Sequence, residues 1–494
     1  MSNSRDVVLK GLFWSYAERM SAQIVSVLVS IILARLLTPE HFGIIAIVMI
    51  FITFCDAVVN GGLGNAIVQK QNADELDVNT MLACSIALSA FLYTIIFLVA
   101  PLISNFFEVS VITPILRILG LRLLVSGVNS IQRAWTQKKM QFRKFFYSTF
   151  IGTIISAVVG ITMAYMEYGV WALVAQYLTY SIISTIVLFF IDDWIPKFQF
   201  SYRRAKSMLD YGWKVLASTI IYTIEGEMRS ILIGKKFSPS SLAYYDQGKK
   251  FPNLLSVNIN TSISNVLFPM LSDTQQDLEN LKRICRRSIK IGMYILTPVL
   301  VGLICVADDF VIAVYTEKWT PAIPFLVILA ISYLTRPFAT TCNQAIMSIG
   351  RSDISLKIIV ILNVVDFLLI SSAIFIFPNI YWVAITAIIT EIIGLICFSY
   401  YQMRLIGYTY VEQLRDVLPS LLTSFLMGCI IRLLHFLPIN SFIVLLLQAL
   451  LGLTLYLLFS LVARLDPFVY ILRNAQKKLG WNCLKYISNK INDV

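Results

Sequence analysis

The sequence predicts an all-α polytopic membrane protein with about 14 transmembrane helices. Two six-helix bundles are expected, related by a pseudo-twofold axis along the membrane normal, with two further helices at the C-terminal end. Three observations lead there. Apolar runs of about 20 residues, the length of helix that crosses a bilayer core, recur along the whole chain. Of its 494 residues, 58% are hydrophobic and 14% charged, where a soluble chain carries about 25% charge. The mean hydropathy is +0.77. Finally, one polar-striped stretch occurs twice, some 200 residues apart.

That stretch is SMLDYGWKVLASTIIYTIEGEMRSILIGKKF, residues 207–237. Lys214, Ser218, Tyr222, Glu225 and Arg229 are spaced four, four, three and four apart, so one helix face carries all five. The other faces are mostly Ile, Leu, Val, Ala and Met. Such a helix sits in a bilayer only if its stripe meets water or polar neighbours. Shifted back by 199 residues, the stripe falls on Ser15, Arg19, Gln23, Ser26 and Ser30, and Trp213 falls on Trp14. At an offset of 200, Pro239 then matches Pro39 and Asn265 matches Asn65. The stretch is read as the first helix of a second copy of the fold.

Spans are placed near 11–36, 42–60, 79–103, 111–131, 145–166, 170–191, 208–234, 241–270, 286–307, 321–347, 355–377, 380–402, 415–436 and 441–463. Loop charge tests that count, because Lys and Arg concentrate on the cytoplasmic side. Arg133, Lys138, Lys139, Arg143 and Lys144 lie between spans four and five. Lys197, Arg203, Arg204 and Lys206 lie between six and seven, and Lys282, Arg283, Arg286, Arg287 and Lys290 flank the turn from eight to nine. With both termini cytoplasmic, all three loops fall inside. Arg35, Lys235, Lys236, Lys318 and Arg432 are the outside exceptions. The expected domains are 1–200 and 201–406 for the two bundles, 407–464 for the added helix pair and 465–494 for a basic cytoplasmic tail.

The net charge of +12 is explained by those loops; no compact basic domain or aromatic-basic module points to nucleic acid. Eight cysteines are scattered without CxxC pairs, so neither a disulfide framework nor a metal site is indicated. The N-terminal apolar stretch is interrupted by Glu18 and Arg19 and has no A-x-A site, which marks an uncleaved first span.

Ionisable residues at membrane depth cost about 2.5–3.5 kcal/mol each on insertion scales. They gather on the first two helices of each copy: Glu18, Arg19, Asp56, Lys214, Glu225, Glu227, Arg229, Asp246, Lys249 and Lys250. The second copy adds Asn253, Asn258, Asn260 and Asn265, and Arg117, Arg122 and Arg336 extend the same field. Arg19, Gln23, Lys214, Tyr222, Glu225, Arg229, Lys249, Lys250, Asn260 and Arg336 are therefore the expected substrate-cavity residues. Blander readings stand beside these. Glu225 and Arg229 form an i,i+4 pair that neutralises itself; Glu18 and Arg19 snorkel to the headgroups; Lys249 and Lys250 are interfacial. Asp56, Asp366 and Glu391 are candidates for coupling to an H+ or Na+ gradient, although for the last two the structural reading, as buried acids hydrogen-bonded between helices, is preferred. No catalytic residue or cofactor is expected.

A base-rich cavity in low dielectric draws an anion, and phosphate and pyrophosphate are the natural guests of Arg and Lys. Asn, Ser, Tyr and Gln suit neutral sugars. A lipid pyrophosphate carrying an oligosaccharide satisfies both, as would other anionic amphiphiles.

Several segments resemble the polysaccharide transport, or oligosaccharide flippase, family of the multidrug/oligosaccharidyl-lipid/polysaccharide (MOP) exporter superfamily. They are ILARLLTPEHFGIIAI, GGLGNAIVQK, VLFPMLSD, YTEKWTPAIPFLVILA and MSIGRSDISLK. The resemblance covers nearly the whole chain and is closest to exporters of colanic acid, teichuronic acid and lipopolysaccharide units. It implies two six-helix bundles around a V-shaped cavity, and alternating-access movement of undecaprenyl-pyrophosphate-linked repeat units across the cytoplasmic (inner) membrane. Membrane lipids and glycan assembly proteins would be the partners. It also implies luminal charge on the first helices of each bundle, which favours Arg19, Lys214 and Arg229. An ion-coupled drug or metabolite antiporter of the same superfamily is the first rival. A membrane glycan polymerase or ligase is the second, weakened because only Asp308–Asp309 forms an acidic pair near the outer face and no P-loop is present.

Overall fold

Prolines, glycines and short polar turns cut the apolar sequence into helices. The computed structural model describes residues 2–192, 194–197, 199–274, 277–376 and 379–479, less the side chains of 2–9, 12, 211, 214, 218, 221, 222, 225 and 474–479. Two units emerge, Met1–Ala243 and Tyr244–Val494. The first contains α1 (Ser2–Leu36), α2 (Pro39–Gly61), α3 (Leu63–Gln69), α4 (Glu75–Phe107), α5 (Ile112–Lys138), α6 (Phe142–Tyr165), α7 (Val170–Ile191) and α8 (Tyr202–Lys236). Helix α9 (Pro239–Ser272) begins at the boundary. The second unit continues with α10 (Leu278–Cys305), α11 (Ala307–Val314), α12 (Ile323–Tyr333), α13 (Arg336–Ser348), α14 (Ser352–Ile376), α15 (Ile380–Ile406), α16 (Tyr410–Leu433), α17 (Ser441–Val462) and α18 (Asp466–Leu479).

This is an all-α polytopic membrane protein. Thirteen of the described segments are long and apolar enough to cross a membrane. Helix α8 has the length, at 35 residues, but its charge keeps it out of that group, as its polar stripe implies. Large apolar side chains stay exposed on the helix exteriors, among them Phe91, Leu98, Phe190, Phe375, Leu426 and Leu450. A soluble protein would bury such a surface; acyl chains cover it here.

The duplication is visible in the helix boundaries. Helix α1 ends at Leu36 and α2 starts at Pro39; α8 ends at Lys236 and α9 starts at Pro239. The breaks are therefore exactly one repeat apart, and each has proline at the first position of the new helix, where its missing N–H costs nothing.

In the first unit α2 packs antiparallel on α8 through small residues. A Cβ at Gly62 would lie 2.5 Å from the carbonyl oxygen of Gly212 on α8, and one at Gly43 would collide with that of Pro239, the first residue of α9. Only glycine lets the two backbones come this close, which is how helices gain packing energy where no hydrophobic effect drives them together.

The structure departs from the sequence expectation in three places. The span expected at 321–347 is broken: a 3-10 turn (Glu317–Ala322) leads into α12, which stops at Tyr333 before α13 starts at Arg336. Pro337 explains the break, because its ring would strike the carbonyl of Tyr333 and it lacks the N–H that would bond there. Helix α3 is a separate short piece after Gly62, and α11 is an unforeseen short helix carrying Asp308 and Asp309. Of the expected basic tail, 466–479 is the helix α18, whereas 480–494 lies outside the described residues.

Candidate functional site

In helix α1, adjacent acid and base have opposite environments. Glu18 is only 8% exposed; its Oε1 accepts from Arg133 Nη2 of α5 and from Thr149 Oγ1 of α6, each at 2.9 Å. Successive helical residues point about 100° apart, so Arg19 faces elsewhere. It is exposed, with no carboxylate partner among the described residues. Glu18 thus pairs within the protein, in place of both the cavity-facing reading and the alternative that it snorkels. Gln23, one turn further, is half-buried and engaged with a neighbour.

Helix α2 carries Asp56, half-buried and 3.2 Å from Arg122 Nη2 of α5. Asn60, one turn along, donates to Ser126 Oγ of α5 at 3.3 Å. Asp56 Oδ1 is buried with no hydrogen-bond partner among the described residues. The pairing with Asp56 accounts for why Arg122 is tolerated in a membrane helix.

On α8, the side chains of Lys214, Tyr222 and Glu225 lie outside the described residues. Arg229 is half-buried and engaged by a neighbour. On α9, Lys249 and Lys250 are half-buried and likewise engaged. Asn260 donates through Nδ2 to the carbonyl and hydroxyl of Ser256 at 2.8 and 3.1 Å, while its Oδ1 is buried without a hydrogen-bond partner among the described residues. Gln247 repeats that pattern: it is buried, and its Oε1 has no hydrogen-bond partner among the described residues. Sequence reasoning passed over Gln247 because it stands between Asp246 and Lys249, whose charge dominates the stretch.

Of the predicted residues, the second unit brings Arg336 and Glu391 together. Arg336 Nε lies 3.5 Å from Glu391 Oε1, and its guanidinium sits 3.8 Å over the Tyr333 ring. Thr335, in the break between α12 and α13, also donates to Glu391 Oε2 at 3.5 Å. Asp366 of α14 accepts from Thr390 Oγ1 of α15 at 2.8 Å. Both acids had no visible partner in the sequence; each has one across a helix interface. Arg19, Gln23 and Asp56 belong to the first unit, and Lys249, Lys250, Asn260, Arg336, Asp366 and Glu391 to the second.

A family profile described as polysaccharide biosynthesis protein matches residues 32–324, more than half of the chain. The chain belongs to this polysaccharide biosynthesis protein family. Members and relatives span most of its length. The lipopolysaccharide biosynthesis protein WzxC of Escherichia coli (strain K12) is 24% identical over 448 residues, covering 87% of this chain and 89% of WzxC. The teichuronic acid biosynthesis protein TuaB of Bacillus subtilis (strain 168) is 22% identical over 70% of this chain and 72% of its own. The succinoglycan biosynthesis transport protein ExoT of Rhizobium meliloti (strain 1021) is 22% identical over 69% and 68%. Among solved structures, the lipid II flippase MurJ in an inward closed conformation superposes with TM-score 0.72 at 17% identity, covering 91% of this chain and 98% of that one. An inward-facing multidrug resistance MATE transporter of the MOP superfamily gives 0.62 at 16%, covering 78% and 95%. These two likenesses establish the fold that this polysaccharide biosynthesis family member shares with transporters.

Proposed function

We propose that the protein is a flippase that moves an undecaprenyl-pyrophosphate-linked oligosaccharide across the cytoplasmic membrane by alternating access. The observation that carries this is the family membership, joined to relatives whose names place them in lipopolysaccharide, teichuronic acid and succinoglycan assembly. The chemistry agrees. Arg19 offers an exposed cation on a membrane helix, where an anion is attracted several-fold more strongly than in bulk water. Asn258, Asn260 and Asn265 of α9 supply amide side chains, the type that hydrogen-bonds a hydroxyl-rich guest. Translocation needs no bond to be made or broken, so no catalytic residue is assigned. Coupling to an H+ or Na+ gradient would use Asp56, Asp366 or Glu391.

Depletion of the protein in its native host, followed by extraction of lipid-linked sugars, tests the reading. Lipid-linked repeat units should accumulate, and the reducing-end sugars should identify the glycan. Unchanged lipid-linked intermediates together with full surface polysaccharide would reject it.

A further inference from the structure

Helix α10 opens with a basic run, Lys282, Arg283, Arg286, Arg287 and Lys290, which gathers at a cavity of about 830 Å³ between α10, the end of α15 and the start of α18. That volume is within the roughly 300–1,000 Å³ typical of small-ligand sites. Three of the five cations are answered from within. Lys282 meets Glu412 at 2.8 Å and the carbonyl of Gly407 at 2.8 Å. Arg286 forks onto both oxygens of Asp416 at 2.7 and 3.0 Å. Lys290 bridges Asp416 at 3.3 Å and Asp466 of α18 at 2.6 Å.

The other two differ. Arg283 donates to the neutral Oδ1 of Asn280 at 2.7 Å, and the Arg287 guanidinium lies 4.4 Å from the Tyr470 ring centroid. Both are exposed, one helical turn apart, and neither has a carboxylate partner among the described residues. Glu279, which also lines the cavity, leaves it with more positive than negative charge. Residues at i and i+4 share one helix face, so both guanidiniums are within reach of a single phosphate, the anion that arginine forks bind. The cavity also has apolar ground: Ile291 and Ile406 line it, where α10 turns from basic to apolar. Helix α18 leaves Tyr470 and Ile471 partly exposed. An inorganic anion has no use for that surface, whereas an acyl chain does.

We infer that this cavity binds the headgroup phosphate of an acidic phospholipid between Arg283 and Arg287, with Tyr470 of α18 closing one side and the acyl chains following Ile291 outward. Bound lipid fastens α18 to α10. The site is independent of the translocated substrate, and lies in a single unit of the protein.

Full-length protein is purified in detergent and titrated with phosphatidylglycerol or phosphatidylcholine, bound lipid being counted by native mass spectrometry. Wild-type protein should retain phosphatidylglycerol at least tenfold more tightly than phosphatidylcholine, an outcome that needs no variant. Arg283→Gln with Arg287→Gln should weaken phosphatidylglycerol binding roughly 30-fold, from about fivefold per basic residue. Lys357→Gln, which removes an exposed charge on α14, should leave it unchanged. Equal retention of the two lipids by wild type overturns the inference. So does an equal loss from Lys357→Gln, which would mean diffuse surface attraction. Displacement of the lipid by inorganic phosphate at matching concentration overturns it too, assigning the cavity to a soluble anion.

Discussion

Gly62 and Gly212 meet backbone to backbone, so close that a methyl group on the first would sit 2.5 Å from the carbonyl oxygen of the second. This contact sets how closely the end of α2 approaches α8, as Gly43 against Pro239 does for the start of α2 and the start of α9. Gly62→Val should force the helices apart, because the obstacle is backbone and cannot rotate away. Overpacking of this kind costs about 1–3 kcal/mol or more. Reduced folded yield and a lower melting temperature in detergent are expected, with Gly226→Ala, which meets nothing within 4 Å, as the neutral control.

Glu18 should behave as a structural residue. Glu18→Gln keeps an acceptor for Thr149 but removes the charge that answers Arg133. A loss of about 2 kcal/mol is expected, in the range for hydrogen bonds to charged groups. Arg133 is partly exposed, so the Glu18→Gln, Arg133→Gln double variant should recover part of that loss. A double-mutant cycle on thermal unfolding reads the coupling; strictly additive losses would contradict the pairing.

The start of α8 is tied to the start of α4 by charge. Arg204 binds Asp74, the N-cap of α4, and reaches Asp77 at 3.1 Å. Its hydrogen bond, with that of the Asp77 backbone amide, holds the Asp74 carboxyl down to about 2. A depressed carboxylate contributes stability that is complete above its unfolded value near 4 and lost as pH falls through about 2. The tie should therefore hold in full from pH 4 to 8 and release as pH falls through about 2. Protease cutting near Arg203 should stay slow at pH 4 in the native protein, whereas Asp74→Asn should speed it across the neutral range.

How much of this was legible beforehand follows from what sequence periodicity records. The repeat was readable because Pro39 and Pro239 mark the same helix start, and backbone rules act locally. The break at Leu334 and Thr335 was readable in principle from Pro337, yet the apolar run through Leu329 and Ala330 masked it. Partners were not readable. Asp366 with Thr390, Glu391 with Arg336, and Glu18 with Arg133 join different helices, and a stripe pattern says which face is polar without saying what it meets. His435 shows the same gap: it sits 3.0 Å from both oxygens of Asp309, which also accepts from Gln448, and all three come from different elements.

Glu391 and Arg336 should fail together and differently from a pure ion pair. Glu391→Gln leaves Arg336 stacked on Tyr333 and still facing an amide oxygen, so folded abundance should change little. If Glu391 carries the coupling proton or ion, export in Glu391→Gln should fall at least tenfold and lose its dependence on the membrane gradient. If Glu391 only balances Arg336, the Glu391→Gln, Arg336→Gln double variant should export as well as either single one. Surface polysaccharide measured against membrane abundance, with and without an ionophore, separates the two.

Arg19 is the sharpest test of the proposed substrate chemistry. Its neighbour Glu18 is consumed by Arg133 and Thr149, so the positive charge at Arg19 is not spent on folding. An exposed guanidinium with no acid partner among the described residues has little to contribute to stability, and Arg19→Gln should melt within about 0.5 kcal/mol of wild type, as surface substitutions do. If the charge attracts a pyrophosphate, export should fall by at least tenfold on losing one charge-assisted contact of about 1.5–3 kcal/mol. Arg19→Lys should recover part of it, since lysine keeps the charge but loses the planar fork. Lipid-linked sugar left on the inner leaflet, measured alongside protein abundance, is the readout. Full export by Arg19→Gln would remove this residue from the anion's path, whatever the fate of Lys214 and Arg229.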